Sequence, residues 1–267
     1  MTQTNQKSQS FCLHDKKPIE RLLRKDVYLN NYGLGDLDDF FWRYTTWYGL
    51  GSERAPREVA VVYSGGSMPT LIAMTKNAAA MRTLLEKTAR LLPPQFGSHL
   101  SPGLDSVFRH ECTVEEHGTF YKMALRRTRA VERFDSSGVV RLQTRDLQDI
   151  LRFFKESYPA NWFSPRMLGT RQYFGVREGR RLVSVAGVHV YSPAYGVAAL
   201  GNIATHPSCR GRGLATRVTA RLCQSLLESI PHIGLNVKCD NASALACYRR
   251  LGFEICASYG EFLITKK

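Results

Sequence analysis

The stretch Asn202–Leu227, NIATHPSCRGRGLATRVTARLCQSLL, decides how the rest of the chain is read. It reads as the end of a strand, a loop holding Arg210, Gly211 and Gly213, and then an amphipathic helix. Leu214, Val218, Leu222 and Leu226 recur four residues apart, so they share one helical face. The two glycines allow unusual backbone dihedrals and close approach of a ligand. The loop opens straight into the helix, whose first N–H groups have no partner inside it. Together with the positive end of the helix dipole they form an anion site, to which Arg210 and Arg212 add charge. The two readings are a cradle for a phosphate or pyrophosphate and a tight turn with no ligand. No Gly-Lys-Ser/Thr follows, which excludes a P-loop, and the three glycines of a dinucleotide fingerprint are absent.

Arg210-Gly211-Arg212-Gly213-Leu214-Ala215 fits the pattern Arg/Gln-x-x-Gly-x-Gly/Ala. By it the chain resembles the GNAT superfamily, the N-acetyltransferases that use acetyl-CoA. Ile203-Ala204-Thr205-His206-Pro207 resembles that family's fourth strand, and Leu235-Asn236-Val237 its fifth. Asn241, Ala244, Tyr248 and Gly252-Phe253 resemble its closing motif. The resemblance spans Gly201 to Glu254, is thinner back to Val139 and faint before that.

The resemblance implies an α+β fold, a mixed and mostly antiparallel sheet flanked by helices. It implies that Arg210, Gly211, Arg212, Gly213, Leu214 and Ala215 hold the pyrophosphate. Ile203 and Thr205 would pair their main chains with the pantetheine arm, and a backbone N–H of Ile203 or Ala204 would polarise the thioester carbonyl. The thioester would enter where the fourth and fifth strands splay apart. Tyr248, seven residues after Asn241, matches the family's general acid to the departing thiolate. Asn241 either bonds the pantetheine or caps its helix. Many relatives place a glutamate on the fourth strand, where this chain has Asn202. His189 and His206 are the nearest candidates for a base, each with a structural alternative. Cys209 and Cys239 have no recognisable histidine partner and read as ordinary small residues.

The 267 residues suffice for two modest domains. The seven cysteines are scattered without a Cys-x-x-Cys, which argues against a zinc site and a disulfide framework and for a reducing cytoplasm. The first residues lack the apolar core of a signal peptide, and no apolar run is long enough for a membrane helix. The formal charge of +14 admits three partners: nucleic acid, an acidic substrate, or polyanionic CoA. The basic residues are spread along the chain, and no recognition-helix or RNA-binding signature appears, which argues against nucleic acid.

In chain order, residues 1–16 read as a disordered tail. Ile19–Lys25 reads as a short helix, Leu34–Asp39 as a solvated acidic loop without EF-hand spacing, and Phe40–Tyr48 as a strand. Strands follow at Glu58–Tyr63 and Thr70–Met74. A helix at Asn77–Leu92 is stopped by Pro93-Pro94. Then come a strand near Phe96, a helix over Leu104–His110 and a strand over Thr119–Arg126. Glu132–Gly138, with its Ser-Ser-Gly turn, is the best boundary. It gives an N-terminal domain at 17–136 and an acetyltransferase domain at 137–267. In the second half, Val139–Leu142 reads as a strand, Thr144–Phe154 as a helix, and Tyr158–Pro165 as the segment that lines the acceptor site in relatives. Strands at Tyr173–Val176, Leu182–Tyr191 and Val197–Thr205 come before the main helix. Strand Ile233–Cys239, helix Ala242–Leu251 and a closing hairpin, Phe253–Ser258 with Phe262–Thr265, end the chain. The same order of elements occurs in both halves, which marks an internal repeat whose first copy lacks the cradle. The layout also resembles glycine N-acyltransferase-like proteins.

The expectation is an acyl-CoA-dependent N-acyltransferase with acetyl-CoA as co-substrate, no metal, and a small amine, amino acid or protein amine as acceptor. The alternative is a CoA-binding regulatory or scaffold protein that does no chemistry. Acceptor, acyl length and oligomeric state are not legible.

Overall fold

A computed structural model describes residues 10–267, which fall into two compact units. The first comprises the chain up to Lys122 together with Cys256–Lys267; the second is Met123–Ile255. The boundary expected at 132–138 therefore lies inside the second unit. Its Ser-Ser-Gly turn is not a linker, because Ser136 Oγ bonds Gln224 Oε1 at 3.0 Å and the Ser137 carbonyl accepts from Arg217.

In the first unit the elements are β1 (Ser10–Leu13), α1 (Lys16–Leu23), α2 (Asn31–Asp36), α3 (Asp39–Trp42), β2 (Thr45–Ser52), β3 (Ala55–Tyr63), β4 (Thr70–Ala73), α4 (Ala78–Thr88), β5 (Gln95–Leu100) and β6 (Cys112–Leu125), whose residues from Met123 belong to the second unit. The second unit holds α5 (Thr128–Glu132), β7 (Val139–Arg141), α6 (Leu147–Ser157), β8 (Phe174–Glu178), β9 (Arg181–Ser192), β10 (Val197–Thr205), α7 (Leu214–Leu227), β11 (His232–Lys238) and α8 (Ala242–Arg250). The last strand, β12 (Phe253–Lys266), begins in the second unit and gives the first unit Cys256 onward.

Strand order is β1-β2-β3-β4-β5-β12 in the first unit and β11-β10-β9-β8-β7 in the second. The pairs are antiparallel except β4–β5 and β10–β11, which are parallel and are each joined through a helix, α4 or α7. A parallel pair needs such a crossover. Each unit thus holds one parallel pair joined through a helix.

Several local readings are corrected. Residues 1–9 of the expected tail lie outside the described residues, but Ser10–Leu13 forms a strand on β2. Phe40–Trp42 is helical although its aromatics favour a strand, because the Asp38 carboxylate caps the turn by accepting from Phe40 N at 3.2 Å. The acidic loop is solvated only at its end: Asp39 is exposed, but Asp36 ends α2 and is 5% exposed, and burial raises its pKa to about 7. The expected helix at Leu104–His110 is a short 3-10 turn, Leu104–Val107. The expected closing hairpin is one continuous strand, β12.

Asp36 yields a pH prediction. Its folded pKa of about 7 lies above the ordinary aspartate value of about 3.9, so between the two the native state holds a proton that the unfolded chain has lost. Stability therefore falls as pH rises from about 4 to 7, by at most about 1.4 kcal/mol per pH unit. Asp36→Asn removes this slope. Its melting temperature should exceed that of the wild type increasingly across that window, as read by calorimetry at fixed ionic strength. Parallel curves for the two proteins would refute the assignment.

The cores follow the periodicities. Leu71, Met81, Leu84, Leu85, Phe96, Phe262 and Ile264 belong to one buried cluster of the first unit. In the second, Val218, Leu222 and Leu226 of α7 and Ile150, Phe153 and Phe154 of α6 are buried, and both helices pack on β9 and β10.

Candidate active site

The cradle is built where β10 ends. Pro207 starts a single 3-10 turn to Cys209, capped by His206, whose Nδ1 accepts from Ser208 N. Arg210 is extended, and Gly211 (φ 78°) and Gly213 (φ 76°) are both left-handed. Side-chain-bearing residues rarely adopt that region, which is why these positions are glycine. A Cβ built on either would meet no heavy atom within 4 Å, so the loop faces open space. The first α-helical bond of α7 runs from Arg217 N to Gly213 O at 3.1 Å. The N–H groups of Leu214, Ala215 and Thr216 precede it and lack helical acceptors. Arg210 Nε lies 3.4 Å from Thr205 O. Arg212 does not add a free charge to the loop; it pairs with Glu178 Oε1 at 2.6 Å.

Upstream, β10 changes partners. It pairs with β11 from Val197↔His232 to Leu200↔Leu235, and then each strand runs on, to Thr205 and Lys238. On its other side the register with β9 shifts between Gly201 and Ala204, so Asn202 and Ile203 have no partner residue there. Asn202 is left-handed at φ 53°. An extra residue in one strand of a pair is a β-bulge, which re-aims side chains and frees ladder groups. Ile203 lies in the bulge, while Ala204 and Thr205 return to the β9 ladder opposite Val185 and Ser184.

Tyr248 lies on α8, is 8% exposed and packs edge-on against Phe253 with centroids 6.0 Å apart. Burial pushes its pKa up, and Cys247, Tyr158 and Cys223 add to the push. Asn241 caps α8: its Oδ1 accepts from Ala244 N and from Ser243 Oγ, both at 3.1 Å.

Residues 141–253 match the acetyltransferase (GNAT) family. Residues 141–253 form a GNAT domain. No curated protein matches the sequence. Solved structures share the fold across most of the chain. A Drosophila protein superposes with a TM-score of 0.70 at 13% identity, covering 96% of this chain and 98% of its own. A GNAT-family acetyltransferase from Colwellia psychrerythraea gives 0.57 at 13% identity, covering 97% and 100%. A tandem GNAT protein from the clavulanic acid biosynthesis pathway gives 0.55 at 13%, covering 97% and 98%. The GNAT domain places this part of the chain among acyl-CoA-dependent N-acyltransferases in general.

The two histidine candidates in the GNAT domain differ in setting. His206 is tied into the turn it caps, with Nδ1 2.7 Å from Ser208 Oγ and Nε2 2.7 Å from Arg181 Nη2. His189 on β9 is half-buried and lies over Gly201, where an added Cβ would come within 2.3 Å of its Cδ2. Burial lowers its pKa while Asn202 pushes it the other way, so the ring is neutral near pH 7.

Sequence reading missed Tyr173. It is fully buried, donates to Val188 O at 3.0 Å and receives Asn202 Nδ2 at 2.8 Å. Gly201-Asn202 within an otherwise apolar strand was the available signal, since such a pair marks a bulge. Among the described residues no group of three or more His, Cys, Asp or Glu could hold a metal, and no helix is long and apolar enough to cross a membrane.

Proposed function

We propose that the GNAT domain transfers an acetyl group from acetyl-CoA to a primary amine by direct attack. One observation carries the reading: the glycine-opened N-terminus of α7 directly follows the strand that parts from its parallel neighbour. The residues fit the co-substrate. Free N–H groups at Leu214–Thr216 and the open faces of Gly211 and Gly213 suit a pyrophosphate. Main-chain groups of Ile203 and Thr205 bond the pantetheine arm, and the bulged N–H of Ile203 polarises the carbonyl. Asn241 serves as a cap rather than a ligand, its acceptor oxygen being already used.

Tyr248 stabilises the leaving thiolate. Its raised pKa keeps the phenol protonated at physiological pH. A thiol near pKa 8.5 is the stronger acid, so Tyr248 acts first as a hydrogen-bond donor to the developing charge. The acceptor enters past the segment after α6, where Trp162 is 55% exposed and offers an apolar face. Amino acids, other small amines and protein amines remain within this class. The second reading, CoA binding without chemistry, is favoured by the bulge carrying Asn202 where the resemblance implies a carboxylate in many relatives.

A melting-temperature titration with CoA, acetyl-CoA and longer acyl-CoAs tests the cradle. Saturating ligand at 100-fold over Kd stabilises by about 2.7 kcal/mol, or several degrees. Gly213→Glu puts a carboxylate at the cradle mouth and should abolish that shift. Absence of any shift in the wild type would sink the proposal.

A further inference from the structure

Among the described residues, Lys122 is the lysine that the fold buries, at 4% exposure. It lies on β6, within the first unit. Its side chain borders a cavity whose lining includes Leu23, Tyr32, Trp47, Val61 and Met74. The cavity leaves about 20 Å³ for the centres of water-sized groups, room for about one or two of them. Two aromatic faces hold the ammonium: Nζ lies 5.0 Å from the ring centroid of Tyr32 and 5.9 Å from that of Tyr259. Tyr259 is itself set by Phe120, stacked at 5.6 Å, and by His99 at 5.0 Å.

Burial lowers the Lys122 pKa to about 8, against the opposite pull of Cys256 and Asp26. Asp26 also pairs with Lys76. At pH 7 about one Lys122 amine in ten is therefore neutral and nucleophilic, against about one in 2,500 for an ordinary lysine. The surroundings decide what this amine can take. The faces of both rings are negative, and Asp26 adds charge of the same sign. A bound carboxylate, or a carbamate on the nitrogen, would set an anion against them. A protonated imine is a cation at the position of the ammonium and keeps both ring contacts. Its formation asks only for an uncharged reactant, which an apolar lining admits.

We propose that this cavity is a carbonyl site, in which Lys122 forms an imine with a small aldehyde of two or three carbons. The inference does not rest on the acyltransfer reading. The Nζ lone pair adds to the carbonyl carbon, and the C–O bond then breaks. The oxygen leaves as water with both hydrogens of the amine, and solvent supplies the proton that makes the imine a cation. No oxidant or reductant is consumed, and hydrolysis reverses the step. The cavity sets the size limit, and an aromatic aldehyde exceeds it.

The test incubates the full-length protein with acetaldehyde and cyanoborohydride at pH 7, and mass spectrometry locates the N-ethyl groups after digestion. Lys122 should be labelled at least about tenfold faster than any other lysine. Its excess of neutral amine, about 200-fold, is partly offset by the lower nucleophilicity of a weaker base. The preference should shrink as pH approaches about 10, where ordinary lysines are also neutral, and should vanish in urea, where the cavity is gone. Benzaldehyde should leave Lys122 unlabelled. Labelling of Lys122 no faster than that of exposed lysines, equal labelling by benzaldehyde, or a preference that survives in urea would overturn the proposal. None of these outcomes bears on acetyl transfer, which the acetyl-CoA titration tests separately.

Discussion

Replacing Tyr248 with phenylalanine should lower turnover by about 10²–10³-fold while leaving acyl-CoA binding intact. The size follows from removing one donor aimed at developing charge in a dry site. The ring keeps its edge contact with Phe253, so the fold loses little. The pH profile sharpens the test. Because burial holds the phenol above its ordinary pKa, it stays protonated throughout the range in which amines become neutral. Wild-type kcat/KM should rise with pH and then level off, with no fall due to Tyr248 below about pH 10. Steady-state kinetics on both proteins, with acetyl-CoA binding followed by melting temperature, give the answer. Full turnover by the variant would remove Tyr248 from the mechanism. Binding without turnover in the wild type would favour the regulatory alternative.

Much of the second unit was legible because its signals are local. The four-residue recurrence of Leu214, Val218, Leu222 and Leu226 needs only helical geometry, and the left-handed Gly211 and Gly213 need only their own backbone. What failed was decided by partners distant in sequence. The turn at Ser136-Ser137 looks like a linker until Gln224 and Arg217 of α7 take hold of it. Phe40–Trp42 has strand composition, and one aspartate cap overrides it. Asn202 was noted only as a missing carboxylate; its left-handed backbone comes with a register shift that no short window reveals. The division of the chain was the largest miss, since nothing local in residues 253–266 tells that the strand is continuous or that it pairs with β5.

Ending the chain after Ile255 should unfold the first unit. β12 pairs with β5 from Gly260↔Leu100 to Thr265↔Gln95. Lys266 closes the pairing, its N donating to Pro94 O at 2.8 Å. Tyr259 and Ile264 are almost wholly buried, and Phe262 is mostly so. Losing two or three such side chains costs about 6–10 kcal/mol even before the ladder is counted, comparable to the whole stability of a domain. Limited proteolysis should then cut within residues 10–122 at once, and circular dichroism should show the lost structure. A truncated protein that melts cooperatively at the wild-type temperature would contradict the pairing.

The same strand fixes the order of events during synthesis. A ribosome makes β1–β5 before the second unit, yet β5 lacks its partner strand until residues 256–266 have emerged. At 5–20 residues per second the wait is on the order of ten seconds. For that time one flank of β5 is an open template for other chains. The first unit is thus begun before the second and closed after it, and the nascent chain carries an open strand edge that β12 covers in the fold.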